Sequence, residues 1–279
     1  MRARRTLVGG LGFPEGPRWR GDRLWFSDMG QKAVFTVDLA GRLERQLDVP
    51  RRPSGLGWLP SGELLVVSMG DRRVLRRLPS GELVVHADLS QLASHDCNDM
   101  VVDGRGNAYV GNAGFDLRSE TPRTAQLVLV TPDGAARVVD DEVVFPNGSV
   151  VTPDGGTLIV AETFAARLTA FSITADGGLA ERRVFAPLPG VAPDGICLDA
   201  EGGVWVADAT GVTCLRVLEG GEVADRVDVG RHCFACALGG TDRRTLFVLA
   251  ADDFAGEAIA RRNATIEIVD VDCPGAGWP

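Results

Sequence analysis

Across 279 residues the sequence holds one tyrosine (Tyr109), three histidines and one lysine (Lys32), and aromatic side chains make up only 6%. Arginine therefore carries almost all of the positive charge, a bias that fits GC-rich coding better than any function. Positive charge is also outnumbered: 29 basic residues face 38 acidic ones, a formal net charge of −9, which excludes a duplex nucleic-acid partner. No window approaches the 18 or more apolar residues of a membrane-spanning helix. The basic start (Arg2, Arg4, Arg5) leads into a short, glycine-containing apolar stretch, Thr6 to Phe13, with no small-residue cleavage site behind it. That pattern argues against a secretory signal, so the expected location is cytoplasmic with no membrane partner. The six cysteines (Cys97, Cys197, Cys214, Cys233, Cys236, Cys273) lack the framework spacing of a short secreted chain, and Cys233–Cys236 is a C-x-x-C without a second pair. They are expected to be buried free thiols. What remains, 45% hydrophobic residues with 35 glycines and 15 prolines, is ordinary globular composition. A chain of this length buries roughly three-quarters of its unfolded surface and needs no disulfides.

The dominant signal is an internal repeat. A short apolar run, a glycine-containing turn and a five-residue strand ending in a small or acidic residue recur six times. The strands are Leu24 to Asp28, Leu65 to Met69, Ala108 to Asn112, Leu158 to Glu162, Val204 to Asp208 and Leu246 to Ala250. Turns such as Arg20-Gly-Asp22 and Pro60-Ser-Gly62 supply the positive φ that hairpins need. Nine to eleven residues before each strand stands an anchor position: Glu15, Ser54, Asn98, Asn147, Asp194 and Cys236, at intervals of 39, 44, 49, 47 and 42 residues. A third and a fourth strand follow each second one. Four short strands at this period match one blade of a β-propeller. The last unit ends after its third strand, Thr265 to Val269, and Arg4 to Val8 precedes the first anchor without a blade of its own. The expectation is an all-β, six-bladed propeller, a single domain over 1–279, closed by the N-terminal strand, which removes two open sheet edges.

The first strand of each propeller blade lines the central channel, so the six anchors should face one another across it. Five of the six carry oxygen, including two carboxylates (Glu15, Asp194) and two amides (Asn98, Asn147). Proline precedes and glycine follows Glu15, Asn147 and Asp194, so one local geometry should aim all three. Two carboxylates converging in a narrow channel repel, and burial resists their ionisation unless a cation intervenes. A hard divalent ion with oxygen ligands, and positions left over for water and substrate, resolves the conflict. Pro-Asp-Gly and Pro-Asn-Gly are also plain turn tripeptides, used as such at 132–134 and 153–155. Their recurrence at one phase of a repeat favours the metal site.

Phe13-Pro-Glu15-Gly-Pro-Arg-Trp19, Asn98-Asp99, Asn147 to Gly155 with Leu158 to Thr163, and Pro193-Asp-Gly-Ile196 together resemble the regucalcin/gluconolactonase/luciferin-regenerating family, in the right order over nearly the whole chain. The resemblance implies a six-bladed propeller with one divalent cation: calcium foremost, zinc, magnesium or manganese in other members. It puts the metal ligands at Glu15, Asn147 and Asp194 and a substrate-side amide at Asn98. One departure stands out: sugar-lactone members similar to regucalcin carry an arginine two residues before that asparagine, where this chain has Asp96.

The chemistry expected from these residues is hydrolysis of a small-molecule cyclic ester, with the cation as Lewis acid. Asp194 is the candidate general base, and Asn98 holds the substrate or the developing oxyanion. No other catalytic set is readable: His86, His95 and His232 share no phase of the repeat, and no G-x-S-x-G elbow occurs. His95 and His232 stand close before anchors, within possible reach of the rim. Two rivals remain open, an organophosphorus-ester hydrolase on the same scaffold and a non-catalytic binding propeller.

Overall fold

The computed structural model describes residues 2–254 and 256–277; the expected domain limits at 1 and 279 lie outside them. Six four-stranded antiparallel sheets are arranged around one axis as a β-propeller. The inner strands are Pro14–Arg20, Pro53–Trp58, Cys97–Val102, Pro146–Val151, Pro193–Leu198 and His232–Gly239, and each packs against the next around the ring, the last against the first. Each blade then runs outward in sequence order, as in blade one through Arg23–Asp28, Ala33–Val37 and Leu43–Asp48.

Blade six closes the ring. After His232–Gly239, Thr245–Ala251 and Ala264–Asp270, its outer strand is the N-terminal Arg4–Leu11. That strand pairs antiparallel with the third, Arg4 opposite Val269 and Thr6 opposite Glu267, and the Thr6 hydroxyl reaches the Glu267 carboxylate at 3.0 Å. The expected closure is therefore present, and it leaves no blade with an unpaired third strand.

Alternating side chains form apolar layers between neighbouring blades. Leu65, Val67, Met100, Val110 and Val128 fill one such layer, and Trp25 meets Trp58 edge-on at 5.6 Å between blades one and two. Tight hairpins at the lower face follow the glycine signals: Gly21 and Asp22 have φ of 58° and 61°, the left-handed pair of a type I′ turn. The upper face carries the longer connections, including 113–124 in blade three and a short helix, Gly256–Arg261, in blade six. All six cysteines are free thiols, five buried and Cys197 half-buried; Cys197 Sγ lies 3.7 Å from Cys236 Sγ.

Candidate active site

Strand register identifies what each blade sends to the channel. In blades one to five the first residue of the inner strand pairs with the last residue of the second strand, as Pro14 with Asp28, Pro53 with Ser68, Cys97 with Asn112, Pro146 with Glu162 and Pro193 with Asp208. A bulge follows at once, and the next residue is Glu15, Ser54, Asn98, Asn147 or Asp194. These five expected anchors do share one phase. The sixth does not: Cys236 pairs with Val248 as Ile196 pairs with Val206, which puts Phe234 at the anchor position. The bulge is the same in all six blades, but the hairpin after it is longer in blade six, where Leu238 pairs with Leu246 while Leu198 pairs with Val204, so counting back from the second strand stopped two residues past the anchor position.

One position further along, the six backbones come closest. Gly16, Gly55, Asp99, Gly148, Gly195 and Ala235 form this ring. A Cβ on Gly148 would sit 2.5 Å from Ile196 N, and one on Gly195 would sit 2.6 Å from Ala235 Cα. Of the glycines after Glu15, Asn147 and Asp194, only Gly16 has a positive φ (56°). The other two are small because neighbouring strands touch there, not because the chain turns.

Glu15, Asn147 and Asp194 are each more than nine-tenths buried. A chain of amides links the blades. Ser54 Oγ donates to Asn98 Oδ1 (3.3 Å), Asn98 Nδ2 donates to Asn147 Oδ1 (3.2 Å), and Asn147 donates to Thr163 Oγ1 (3.3 Å) and to Asp194. Thr163 in turn donates to Pro193 O at 2.8 Å. Burial pushes the carboxyl of Glu15 well above its ordinary range, and repulsion from Asp194 and Asp99 adds to it. Asp194 is raised the same way, by burial first and then by Asp99. Neither has an ion-pair partner among the described residues. Among these residues no three His, Cys, Asp or Glu side chains cluster as a metal site, so a cation here would need amide and water oxygens beside the two carboxylates. Two buried, mutually repelling carboxylates and an amide oxygen do fit a hard divalent cation, the ion that would let both ionise.

Two groups of functional residues escaped the sequence reading. Arg18 donates to Asp99 Oδ1 (3.2 Å) and to Met100 O (2.6 Å), a buried ion pair that crosses the channel from blade one to blade three. Each is the one charged residue at its phase of the repeat, which was a legible signal. The second group closes the second strands: Asp28 accepts from Gly12 N and Phe13 N (2.8 and 3.1 Å), Glu162 from Val144 N (2.8 Å), and Asp208 from Ala192 N (3.1 Å). These braces fix the segment just before each Pro-anchor pair, and they occur in the same three blades as Glu15, Asn147 and Asp194.

At the rim, Asp96 pairs with Arg52, so the side chain that stands where sugar-lactone members carry arginine is itself held by an arginine from blade two. His95 is half-buried. His232 Nδ1 lies 3.2 Å from Gly211 O, and its ring centroid lies 6.4 Å from that of Phe234. A cavity of about 70 Å³ at the opposite end of the channel is lined by Arg18, Trp19, Cys197 and Arg243 among others; none of the anchors reaches it.

The family model described as the SMP-30/Gluconolactonase/LRE-like region matches residues 13–252. The chain belongs to this family. It is similar to the pentonolactonase of Haloferax volcanii, 26% identical over 271 residues that cover 87% of this chain and 84% of that protein. It is also similar to the 6-deoxy-6-sulfogluconolactonase of Pseudomonas putida, 29% identical over 189 residues, 65% and 64% of the two chains. Among solved structures, a luciferin-regenerating enzyme superposes with a TM-score of 0.85 at 17% identity, over 99% of this chain and 97% of that one. The calcium-binding protein regucalcin of Agrobacterium tumefaciens gives 0.84 at 23%, over 100% and 97%. At these identities the structures show the family's fold. No helix among the described residues is long and apolar enough to cross a membrane.

Proposed function

We propose that the protein is a divalent-cation-dependent lactonase, one propeller domain acting in the cytoplasm on a small-molecule cyclic ester. The observation that carries this reading is the convergence of Glu15 and Asp194 with Asn147, two buried carboxylates raised by burial and repulsion, with no ion-pair partner among the described residues and only a weak attraction from Arg18 on Glu15. The similarity to two lactonases supports the reaction class. Glu15, Asn147 and Asp194 would hold the cation, calcium foremost given the calcium-binding structural neighbour; when bound it supplies Lewis acidity toward the ester carbonyl.

The chain's own residues do the rest. Asp194 takes a proton from the attacking water as its oxygen adds to the carbonyl carbon. The same proton passes to the ring oxygen as the C–O bond breaks, leaving a hydroxy acid. The Asn147 amide and the backbone hydrogen bond at Gly195 orient that carboxylate. Asn98 is the most open of these residues. One of its amide hydrogens is committed to Asn147, and the other is free to bind the substrate carbonyl and the oxyanion it becomes. Arg18 neutralises Asp99 below the anchors, so a third buried charge does not add its full repulsion.

Hydrolysis of a panel of lactones and phosphotriesters, with and without chelator, tests the reading. Chelator-sensitive lactone hydrolysis supports it. Activity confined to phosphotriesters, or lactone hydrolysis indifferent to exhaustive chelation, contradicts it.

A further inference from the structure

We infer that the preferred substrate is a lactone whose ring carries an apolar alkyl or aryl substituent, received by an aromatic wall on blades three and four; this rests on the lactonase reading. Phe115, Phe145 and Phe164 form a closed triangle with ring centroids 5.8, 5.5 and 5.3 Å apart. They come from three separate segments of the upper face. Phe115 lies in the 113–124 connection, Phe145 directly precedes Pro146-Asn147, and Phe164 directly follows Thr163, the residue that hydrogen-bonds Asn147. The triangle is thus joined through the chain to Asn147 and to its hydrogen-bond partner Thr163.

Exposure is graded across it: Phe115 is 1% exposed, Phe145 9% and Phe164 48%. Two rings are fixed in the protein and the third offers a free flank. Phe145 is held at φ 52°, a left-handed conformation that a bulky residue rarely adopts, so the ring is kept there against a backbone preference. Across the channel, Phe13 and Phe234 meet at 4.7 Å with their rings tilted by 59°, and Phe234 occupies the one anchor position that supplies no oxygen. Both rings are buried in the core of blades one and six, so the exposed aromatic surface is the flank of Phe164 on the opposite side.

A polyhydroxylated lactone fits this mouth poorly. Hydroxyls laid against phenyl faces lose water without gaining a partner, and three polar groups beside the wall already have partners. Arg52 holds Asp96, Thr163 donates to Pro193 O, and Asp116 accepts from Arg118 N and Ser119. An alkyl or aryl group gains from the same surface.

The test uses the full chain supplied with calcium and a series of γ-lactones lengthened one methylene at a time, together with glucono-1,5-lactone. The expected kcat/KM rises about two- to fourfold per methylene over the first few carbons and exceeds that for gluconolactone. Phe164→Ser flattens the slope, whereas Phe254→Ser, an exposed phenylalanine of the blade-six connection, keeps it. Calorimetric binding of the corresponding lactams, which need no turnover, separates the two claims. Chain-length-dependent lactam binding without lactone hydrolysis sinks the lactonase reading and leaves the wall standing. Hydrolysis with a flat slope, a preference for gluconolactone, or an unchanged slope in Phe164→Ser overturns the wall.

Discussion

Blades one, four and five each carry two buried polar residues on adjacent strands, an anchor and a brace, and Glu15 and Glu162 meet opposite electrostatic fates. Glu162 is completely buried, yet Arg167 donates to it at 2.9 Å, Thr169 and Val144 N donate as well, and although burial pushes its carboxyl up, these partners hold it below the ordinary range. Asp28 likewise accepts from Gly12 N, Phe13 N and the Gln31 backbone and side chain. Glu15 has a single backbone donor, Gly16 N at 3.2 Å, and is raised. Burial is common to both sets, so burial does not decide. Partners do: the braces are satisfied by the protein, whereas the anchors are left in want of positive charge, the arrangement expected where stability is given up for a site.

The largest effect should follow from removing the base while keeping the shape. Asp194→Asn, assayed with cation in excess, should lower kcat by about 10²–10⁴-fold; undiminished turnover would show that another group takes the proton. Removing a brace should act on folding instead. Glu162→Gln strips charge from a site built around it and should cost roughly 2 kcal/mol, lowering the melting temperature by about 5 °C, with kcat per folded molecule changed less than about tenfold. A collapse of kcat with unchanged melting would make Glu162 part of the chemistry and erase the distinction.

The pH dependence sharpens the contrast further, because Glu15 and Glu162 are shifted in opposite directions. Glu15 has a raised carboxyl in the folded chain, so the folded state keeps a proton that the unfolded chain releases above about pH 4.3, and stability falls as pH rises from there toward the raised value. Glu162 is depressed when folded; its contribution is complete above the ordinary carboxylate range and is lost as pH falls through the folded value. In chelator-treated protein, Glu15→Gln should therefore raise the melting temperature at pH 8 and gain little at pH 5. Equal gains at both pH values would deny that the anchor carboxylate is strained. The smallest effect belongs to Asn98→Ala, which should chiefly raise KM while leaving cation affinity in place.

Much of this contrast was legible in the sequence, and the parts that were not have physical reasons. Five anchors, the six blades and the N-terminal closing strand follow from a strict period of alternating strands and glycine turns. Blade six misled because the hairpin between its first two strands is longer, Leu238 pairing with Leu246 where blade five pairs Leu198 with Val204, and a longer turn changes the count without changing the apolar pattern. The glycines after Asn147 and Asp194 were readable as residues but not as a ring, since close approach between strands 47 residues apart leaves no local trace. Arg18 and Asp99 were visible as lone charges at their phases of the repeat, and the acidic ends of three second strands as a recurring carboxylate. Their meaning depends on donors in other blades, which only the folded chain brings together.

Calcium titration of the metal-stripped full chain, followed calorimetrically, addresses the anchor site most directly when wild type, Glu15→Gln and Glu162→Gln are compared. The account predicts one ion per chain, affinity weakened on the order of tenfold or more in Glu15→Gln as a ligand charge is lost, and wild-type affinity in Glu162→Gln. Equal affinity in wild type and Glu15→Gln, or a loss confined to Glu162→Gln, would contradict it.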